Sequence, residues 1–166
     1  MIIVSDSSVI MNLAVIKQLE LLPDLFGEII IPYAVFLEVV VEGADLPGAK
    51  ELQAAQWASV KKCANNTLVA TLLDEIDQGE AEAIVLALEL GAELLLLDEK
   101  KGRSVANRFD LEHIGVLGIL LRAKEKGLIS EVRVHMDQLL SQARFFIHPD
   151  LYLQVLTLAG ESITKE

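Results

Sequence analysis

Two apolar strands that each end at an acidic residue limit most strongly what this chain can fold into. The run Ile2–Val4 shows no polar alternation and ends at Asp6, and the predicted strand Glu93–Leu97 ends at Asp98. Continuous apolar runs are typical of strands that are buried on both faces of a parallel sheet. Because parallel strands end at one edge, where ligands bind, both carboxylates are predicted at a ligand-binding edge.

Helices alternate with the strands along the first two thirds of the chain. Further strands are predicted at Glu28–Ile31, Val60–Cys63 and His113–Ile114. The helical patterns between them are Ser8–Ile16, Leu19–Phe26, Tyr33–Glu42, Ala49–Trp57, Leu68–Leu73, Gln78–Leu90 and Lys100–Phe109. This alternation implies right-handed crossovers and a parallel sheet that is covered by helices on both faces.

The last third of the chain has helical patterns only, at Val116–Lys126, Ser130–Ala143 and Pro149–Ala159. We therefore predict a single domain over residues 1–166, with an α/β core of about 1–114 and a helical C-terminal extension of about 115–166. The extension is a candidate subunit contact.

Composition excludes several classes of protein. The 52% of apolar residues supplies a sizeable core and argues against disorder. The longest unbroken apolar run, Ile29–Leu37, is too short to span a bilayer. The N-terminus has no basic segment before its apolar stretch, so we expect no secretory signal. Cys63 is the only cysteine, which excludes an intrachain disulfide and favours the reducing cytoplasm.

The formal charge of −11 argues against non-specific nucleic-acid binding through a basic surface. Against that background, four of the 14 basic residues lie close after Asp98: Lys100, Lys101, Arg103 and Arg108. They are either a local phosphate-contacting strip or one solvated helix face. The excess of aliphatic residues suggests a buried interface, so we expect a homodimer or a higher homo-oligomer.

Two glutamates stand out because their neighbours are apolar. Glu38 is the only charge between Tyr33 and Val41, and a buried carboxylate needs a partner or a cation. A structural ion pair with a lysine is the alternative. In the helix Gln78–Leu90, at about 100° per residue, Glu80 falls on the buried face, whereas Glu82 falls on the solvent face. The alternative for Glu80 is a capping box with the residue three positions before it.

Asp6 and Asp98 also have a simple structural alternative, as N-caps of the helices that follow them. If the four acids do meet, their charges repel and raise each other's pKa, so a cation is needed between them. Oxygen ligands suit Mg²⁺ or Mn²⁺, and Cys63 and the three histidines show no zinc-ligand spacing. Ions held in this way can activate water and stabilise the leaving oxygen in phosphodiester cleavage.

The chain resembles PIN-domain proteins in three segments, MIIVSDSSVIMNLA, IIIPYAVFLEVV and DQGEAEAIVLALELGAELLLLDEKKGR. It resembles in particular a prokaryotic PIN-like branch that is related to the VapC-type toxin ribonucleases. The resemblance continues through LGILLRAKEKGLI and PDLYLQVLTLAGE, and so it covers nearly the whole chain.

This resemblance implies a three-layer α/β fold, with a parallel sheet of about five strands between helices. It also implies an endoribonuclease that depends on Mg²⁺ or Mn²⁺ and cuts single-stranded RNA. One role that the resemblance suggests for such an enzyme is the toxin of a toxin–antitoxin pair, with an antitoxin protein as its partner. The acids of the family, as metal ligands and catalytic residues, fall here on Asp6, Glu38, Glu80 and Asp98. Many PIN nucleases have Asp where this chain has Glu80, which changes the reach of that side chain.

Two further residues match the family pattern in a supporting role. Ser8 corresponds to the small hydroxyl residue that follows the first acid by two positions, where it would orient that acid. Arg103 lies where it would meet a substrate phosphate, and a plain surface arginine is the alternative.

Three other functions compete with the nuclease. A non-catalytic PIN-like module would bind nucleic acid or protein, the latter through its helical tail. A phosphoacceptor receiver domain has paired acids after its first strand, whereas Asp6 has serine neighbours. Dinucleotide binding would place G-x-G-x-x-G after that strand, and the sequence lacks this motif.

Overall fold

The computed structural model describes residues 1–162, so residues 163–166 of the predicted extension lie outside the described residues. Its sheet has five strands: Ile3–Ser5 (β1), Ile29–Pro32 (β2), Ala58–Lys61 (β3), Leu94–Leu96 (β4) and His113–Ile114 (β5). All neighbours pair in parallel, in the order β3-β2-β1-β4-β5. The predicted parallel sheet is therefore confirmed.

The helices fill the connections between strands and the last third of the chain. They are Ser7–Val15 (α1), Leu21–Phe26 (α2), Tyr33–Phe36 (α3), Ala49–Ala54 (α4), Asn66–Leu72 (α5), Gln78–Leu90 (α6), Lys100–Arg108 (α7), Val116–Glu125 (α8), Val132–Gln142 (α9) and Pro149–Leu158 (α10). Helix α6 has the predicted bounds, and most other helices differ by one or two residues at their ends. None of the helices in the described part of the chain is both long and apolar enough to cross a membrane.

Side chains of the strands alternate between two hydrophobic cores. Ile3 and Leu96 belong to one core, whereas Val4 and Leu95 belong to the other, on the opposite face of the sheet. Both faces are thus fully buried, which explains why the strand sequences are apolar without alternation. The result is the three-layer α/β fold that the sequence predicts.

Helices α8, α9 and α10 pack into the first of these cores. Ile119, Met136 and Leu156 are fully buried there, together with Leu13 of α1. The C-terminal helices therefore form part of one helical layer, and they bring the connection between α9 and α10 close to the end of β1.

Two segments differ from the sequence prediction. The predicted helix Tyr33–Glu42 is α-helical only as far as Phe36 and continues as a π-helix, Leu37–Glu42, in which the amide of Gly43 donates to the Glu38 carbonyl oxygen at 2.9 Å. Strand β3 begins two residues earlier than predicted, because the register pairs Ala58 with Ile29. As an edge strand that is only partly buried, β3 has a weak apolar signal.

Candidate active site

A cavity of about 700 Å³ lies at the edge of the sheet where β1, β2 and β4 end. It is lined by all six residues that the sequence singles out: Asp6, Ser8, Glu38, Glu80, Asp98 and Arg103. Two further acids, Asp77 and Glu99, line the same cavity. We call the carboxylate residues that line the cavity the acidic cluster: Asp6, Glu38, Asp77, Glu80, Asp98 and Glu99.

The strand order explains why the cluster forms there. The chain passes from β1 to β2 and β3 on one side, then crosses to β4 and β5 on the other. Ligands in such sheets bind in the crevice outside the carboxyl ends of the strands at this switch in direction. Asp6 directly follows β1, and Asp98 lies two residues after β4, so both acids flank the crevice.

Asp6 is both a helix cap and a buried member of the cluster. Its side chain accepts hydrogen bonds from the Ser7 amide at 2.6 Å and from the Ser8 hydroxyl at 3.2 Å. Asp6 is only 1% exposed. This burial raises the pKa of its carboxyl to about 7, and the negative charges of Asp77 and Glu38 add to the effect. The Ser8 hydroxyl thus contacts Asp6 directly, and its role in orienting that acid stays a prediction.

Glu38 reaches the cluster from the first turn of the π-helix. Its Oε2 accepts a hydrogen bond from the Ser7 hydroxyl at 2.8 Å, and that hydroxyl lies 3.4 Å from Asp6 Oδ1. The partner of Glu38 is thus a serine, and within residues 1–162 no lysine or arginine is paired with it. Because π-helical turns recur at functional sites, this placement is itself notable.

Glu80 is the least compensated acid of the cluster. It is 6% exposed, and its Oε2 is buried without a hydrogen-bond partner among the described residues. Burial raises the pKa of Glu80 to about 8, with further contributions from the charges of Asp77 and Asp6. Asp77 does cap the Glu80 amide, at 2.8 Å, but the unpartnered oxygen plays no part in a capping box.

Glycines leave room for these carboxylates. A Cβ atom on Gly79 would lie 3.4 Å from Glu38 Oε1 and 3.7 Å from Asp6 Oδ1, so those two oxygens face the same small space. A Cβ atom on Gly102 of α7 would collide with Glu80 Oε2. At Gly79 such an atom would make ordinary contacts, whereas at Gly102 the absence of a side chain lets α7 lie close to Glu80.

Asp98 has a different environment from the other three predicted acids. Both of its side-chain oxygens lie 3.2 Å from the Val116 amide, so it caps α8 and not the helix that directly follows it. The Arg103 guanidinium lies 3.8 Å from Asp98 Oδ1, and its Nε donates to the Asp98 carbonyl oxygen at 3.0 Å. Burial raises the pKa of Asp98, while the Val116 amide and Arg103 oppose that rise. A Cβ atom on Gly115 would collide with this carboxylate.

The sequence prediction for Glu82 is wrong. Glu82 is half-buried, and its Oε1 accepts a hydrogen bond from the Ala34 amide at 3.0 Å, at the start of α3. Its Oε2 accepts from the Gln78 side chain at 2.6 Å. The face of α6 that a helical period assigns to solvent is covered at this point by α3.

Sequence reasoning also missed residues that line the cavity. Asp77 was interpreted only as a cap and Glu99 not at all, although each is close in sequence to a predicted acid. Asp77 lies three residues before Glu80 and Glu99 lies one residue after Asp98, and this closeness in sequence is the signal that could have identified them. Arg144 and Phe146, from the connection between α9 and α10, also line the cavity, and no local pattern marks them.

The potential metal ligands of the acidic cluster are of the chemical type that a hard divalent cation prefers. They are carboxylate oxygens, one of them buried and unpartnered, and burial together with neighbouring negative charge raises the carboxyl pKa values of Asp6 and Glu80. As the side chains stand, no group of three or more acids, histidines or cysteines in residues 1–162 is arranged to hold a metal ion. The ligand types suit a divalent cation, but the described side chains do not form a coordination shell in this arrangement.

Comparison with known protein families identifies the family to which the chain belongs. The family model of the PIN domain matches residues 2–161, so the chain belongs to the PIN-domain family. This family has a nuclease-type fold, commonly acts on nucleic acid and generally depends on divalent metals. Comparison with curated proteins gives no match.

Proposed function

We propose that this protein is an endoribonuclease that depends on Mg²⁺ or Mn²⁺ and cuts single-stranded RNA in the cavity of the acidic cluster. The observation that supports it best is the buried Glu80 oxygen without a partner, set beside the negative charge of Asp6. An unpaired buried carboxylate is unfavourable, and a bound cation would remove that cost. The family assignment points in the same direction.

In this proposal the metal ligands and catalytic residues are Asp6, Glu38, Glu80 and Asp98. When bound, the ion would supply a hydroxide-like nucleophile and stabilise the leaving oxygen of the phosphodiester. The chain's own hydroxyl groups hold the ligands: Ser8 orients Asp6, and Ser7 joins Glu38 to it.

Arg103 is the proposed phosphate contact. Its side chain is 44% exposed and lines the cavity, so the guanidinium can turn from Asp98 towards an incoming anion. Phosphate oxygens accept charge-assisted hydrogen bonds from arginine. Lys100 lines the cavity as Arg103 does, whereas Arg108 is paired with Glu75 at 2.5 Å.

The test is cleavage of a single-stranded RNA with Mn²⁺ supplied. Asp6→Asn and Asp98→Asn should each reduce cleavage by roughly 100-fold or more, since losing even an outer-shell partner of a metal typically costs 10- to 100-fold. Asp45→Asn is the matched control, because Asp45 is exposed and does not line the cavity. Circular dichroism checks that all variants fold. Unchanged cleavage in both site variants, or none in the parent, contradicts the proposal.

A second candidate is a non-catalytic PIN module that binds nucleic acid or protein. The observation in its favour is that Asp98 already has Val116 and Arg103 as partners and is therefore less available as a ligand. This candidate predicts no stabilisation by Mn²⁺, whereas the nuclease predicts a clear rise in Tm.

We also propose a more specific biological role, that of a toxin. As the toxin of a toxin–antitoxin pair, the wild-type protein should arrest growth when it is expressed in a bacterial host, and Asp6→Asn should not. The homo-oligomer and the cytoplasmic setting stay predictions of the sequence.

A further inference from the structure

The segment 143–146, between α9 and α10, lines the same cavity as the acidic cluster although it is far from it in sequence. Its residues alternate in exposure. Phe145 packs against the hydrophobic core, and its amide lies 3.3 Å from the Leu139 carbonyl oxygen, to which it donates. Ile147, just beyond the segment, is buried as well. Arg144 and Phe146 are thereby held exposed at the cavity on an anchored backbone.

Phe146 is 81% exposed, the highest value among the exposed large apolar side chains of the described residues. A ring in that position gains nothing from the core. Arg144 beside it has a φ of 52°, a left-handed conformation that is uncommon for residues other than glycine and asparagine. The same conformation occurs at Lys17 and Asp110, directly after the C-caps of α1 and α7, so at Arg144 it marks the end of α9 and fixes the direction in which the segment leaves that helix.

Residues of both charges line the cavity. The acidic cluster contributes negative charges, two of them just beyond strand ends, and Lys100, Arg103 and Arg144 add three positive charges to the lining. Acids that would hold a metal, cations that would bind phosphates and an exposed aromatic ring together match the parts of a nucleotide. Aromatic rings stack on bases of single strands with little sequence preference, because every base has a π-face.

We propose that Phe146 stacks on a nucleobase of the single-stranded substrate and that Arg144 binds a phosphate next to that base. This inference deepens the proposed function and rests on it for the identity of the substrate. It assigns segment 143–146 the role of placing the chain of the nucleic acid against the acidic cluster. Duplexes should bind poorly, because their bases are already stacked inside the helix.

The first test measures binding of a labelled single-stranded RNA of about 10 nucleotides, a length within the usual site size of single-strand binders. Ca²⁺ replaces Mn²⁺, to neutralise the acids while slowing cleavage. Phe146→Ala should bind about 5- to 150-fold more weakly, the range expected for loss of one stacked base. Phe146→Trp should restore binding. Leu158→Ala is the control, since Leu158 is 75% exposed but does not line this cavity.

Oligonucleotides with a single abasic position separate stacking from a structural role. In the wild type, one abasic position should weaken binding, and in Phe146→Ala that position should cost nothing more, because the stacked pair is already broken. Additive losses at every position would overturn the inference. So would a Phe146→Ala variant that changes the oligomeric state in sedimentation while its RNA affinity stays the same.

Arg144→Gln should weaken binding to all sequences alike and lower the slope of log affinity against log salt by about one. Arg108→Gln serves as the charge-matched control. An unchanged slope would remove Arg144 from the proposal.

Failure of this inference is distinguishable from failure of the proposed function. If the wild type cuts RNA but Phe146→Ala has the same KM, this inference fails and the nuclease stands. If the wild type binds through Phe146 but never cuts with Mn²⁺, the nuclease fails and the base contact stands.

Discussion

Asp6 and Asp98 follow neighbouring strands and look alike in the sequence, yet the structure surrounds them differently. Asp6 lies beside Glu38, Asp77 and Glu80, and the hydrogen bonds it accepts come from neutral serine groups. Asp98 has the Arg103 guanidinium at 3.8 Å. Excess negative charge is therefore concentrated on the Asp6 side. A strand-end acid shows where a site is, but its neighbours decide which part of the site needs a cation.

The largest expected effect is on the pH dependence of metal-free stability. The carboxyl pKa values of Asp6 and Glu80 rise from 3.8 and 4.5 to about 7 and about 8 in the folded state. Between pH values of about 4 and 8, these two carboxyl groups bind more protons in the folded protein than in the unfolded one. The free energy of unfolding therefore falls as pH rises over this range. Each group contributes at most about 1.4 kcal/mol per pH unit.

Urea titrations in EDTA from pH 5 to 8 measure that slope. Asp6→Asn should flatten the Asp6 part of it, whereas Asp45→Asn should leave it unchanged. A free energy of unfolding that is constant over this range would show that the carboxyl pKa values of Asp6 and Glu80 are not raised in the folded protein.

The second effect is stabilisation by metal. At pH 8, Mn²⁺ at a hundred times its Kd should raise the Tm by about 5–10 °C. Glu80→Gln should lose most of that rise, because it removes the unpartnered oxygen. Glu125→Gln, an exposed acid outside the cavity, should keep it. Equal shifts in both variants would place the cation away from Glu80.

The third effect tests the close approach of α7 to the cluster. Gly102→Ala places a Cβ atom against Glu80 Oε2 and should weaken Mn²⁺ binding by roughly 10- to 100-fold, as a disturbed ligand support does. Ser104→Ala, an exposed substitution on the same helix, should bind Mn²⁺ normally. Calorimetric titration measures both affinities. If Gly102→Ala binds as well as the wild type, Glu80 is not a ligand at its present position.

The smallest effect makes Asp98 resemble Asp6. Arg103→Gln should lower the free energy of unfolding by less than about 1 kcal/mol, since the Arg103 side chain is 44% exposed to solvent. It should nevertheless raise the pKa of Asp98, because the guanidinium holds that pKa down. Carboxyl titration followed by NMR measures the change. An unaltered pKa would mean that the Val116 amide alone distinguishes the two acids.

Much of the fold was visible in the sequence because buried parallel strands leave a simple trace. The runs that end at Asp6 and Asp98 gave the sheet and the position of the crevice. Glu38 was visible because a lone charge in an apolar segment needs an explanation. The local fold around it was not, since the change from i→i+4 to i→i+5 hydrogen bonds over one short π-helix leaves no periodic signal.

What the sequence could not give depends on contacts between distant segments. The period of α6 separated the faces of the helix, but it could not show that α3 covers Glu82. The hydrogen bond from Ser7 to Glu38 spans 31 residues, and Arg144 reaches the cavity from the last quarter of the chain. Such pairings follow from the packing of helices around the sheet, which no local pattern encodes.

The cavity draws its walls from position 6 to position 146. During biosynthesis the first strands emerge from the ribosome long before the connection between α9 and α10 does. A nascent or prematurely ended polypeptide therefore lacks the wall that bears Arg144 and Phe146, even if its sheet has formed. For a protein proposed to destroy RNA, this delays a complete active site until the connection between α9 and α10 has been synthesised.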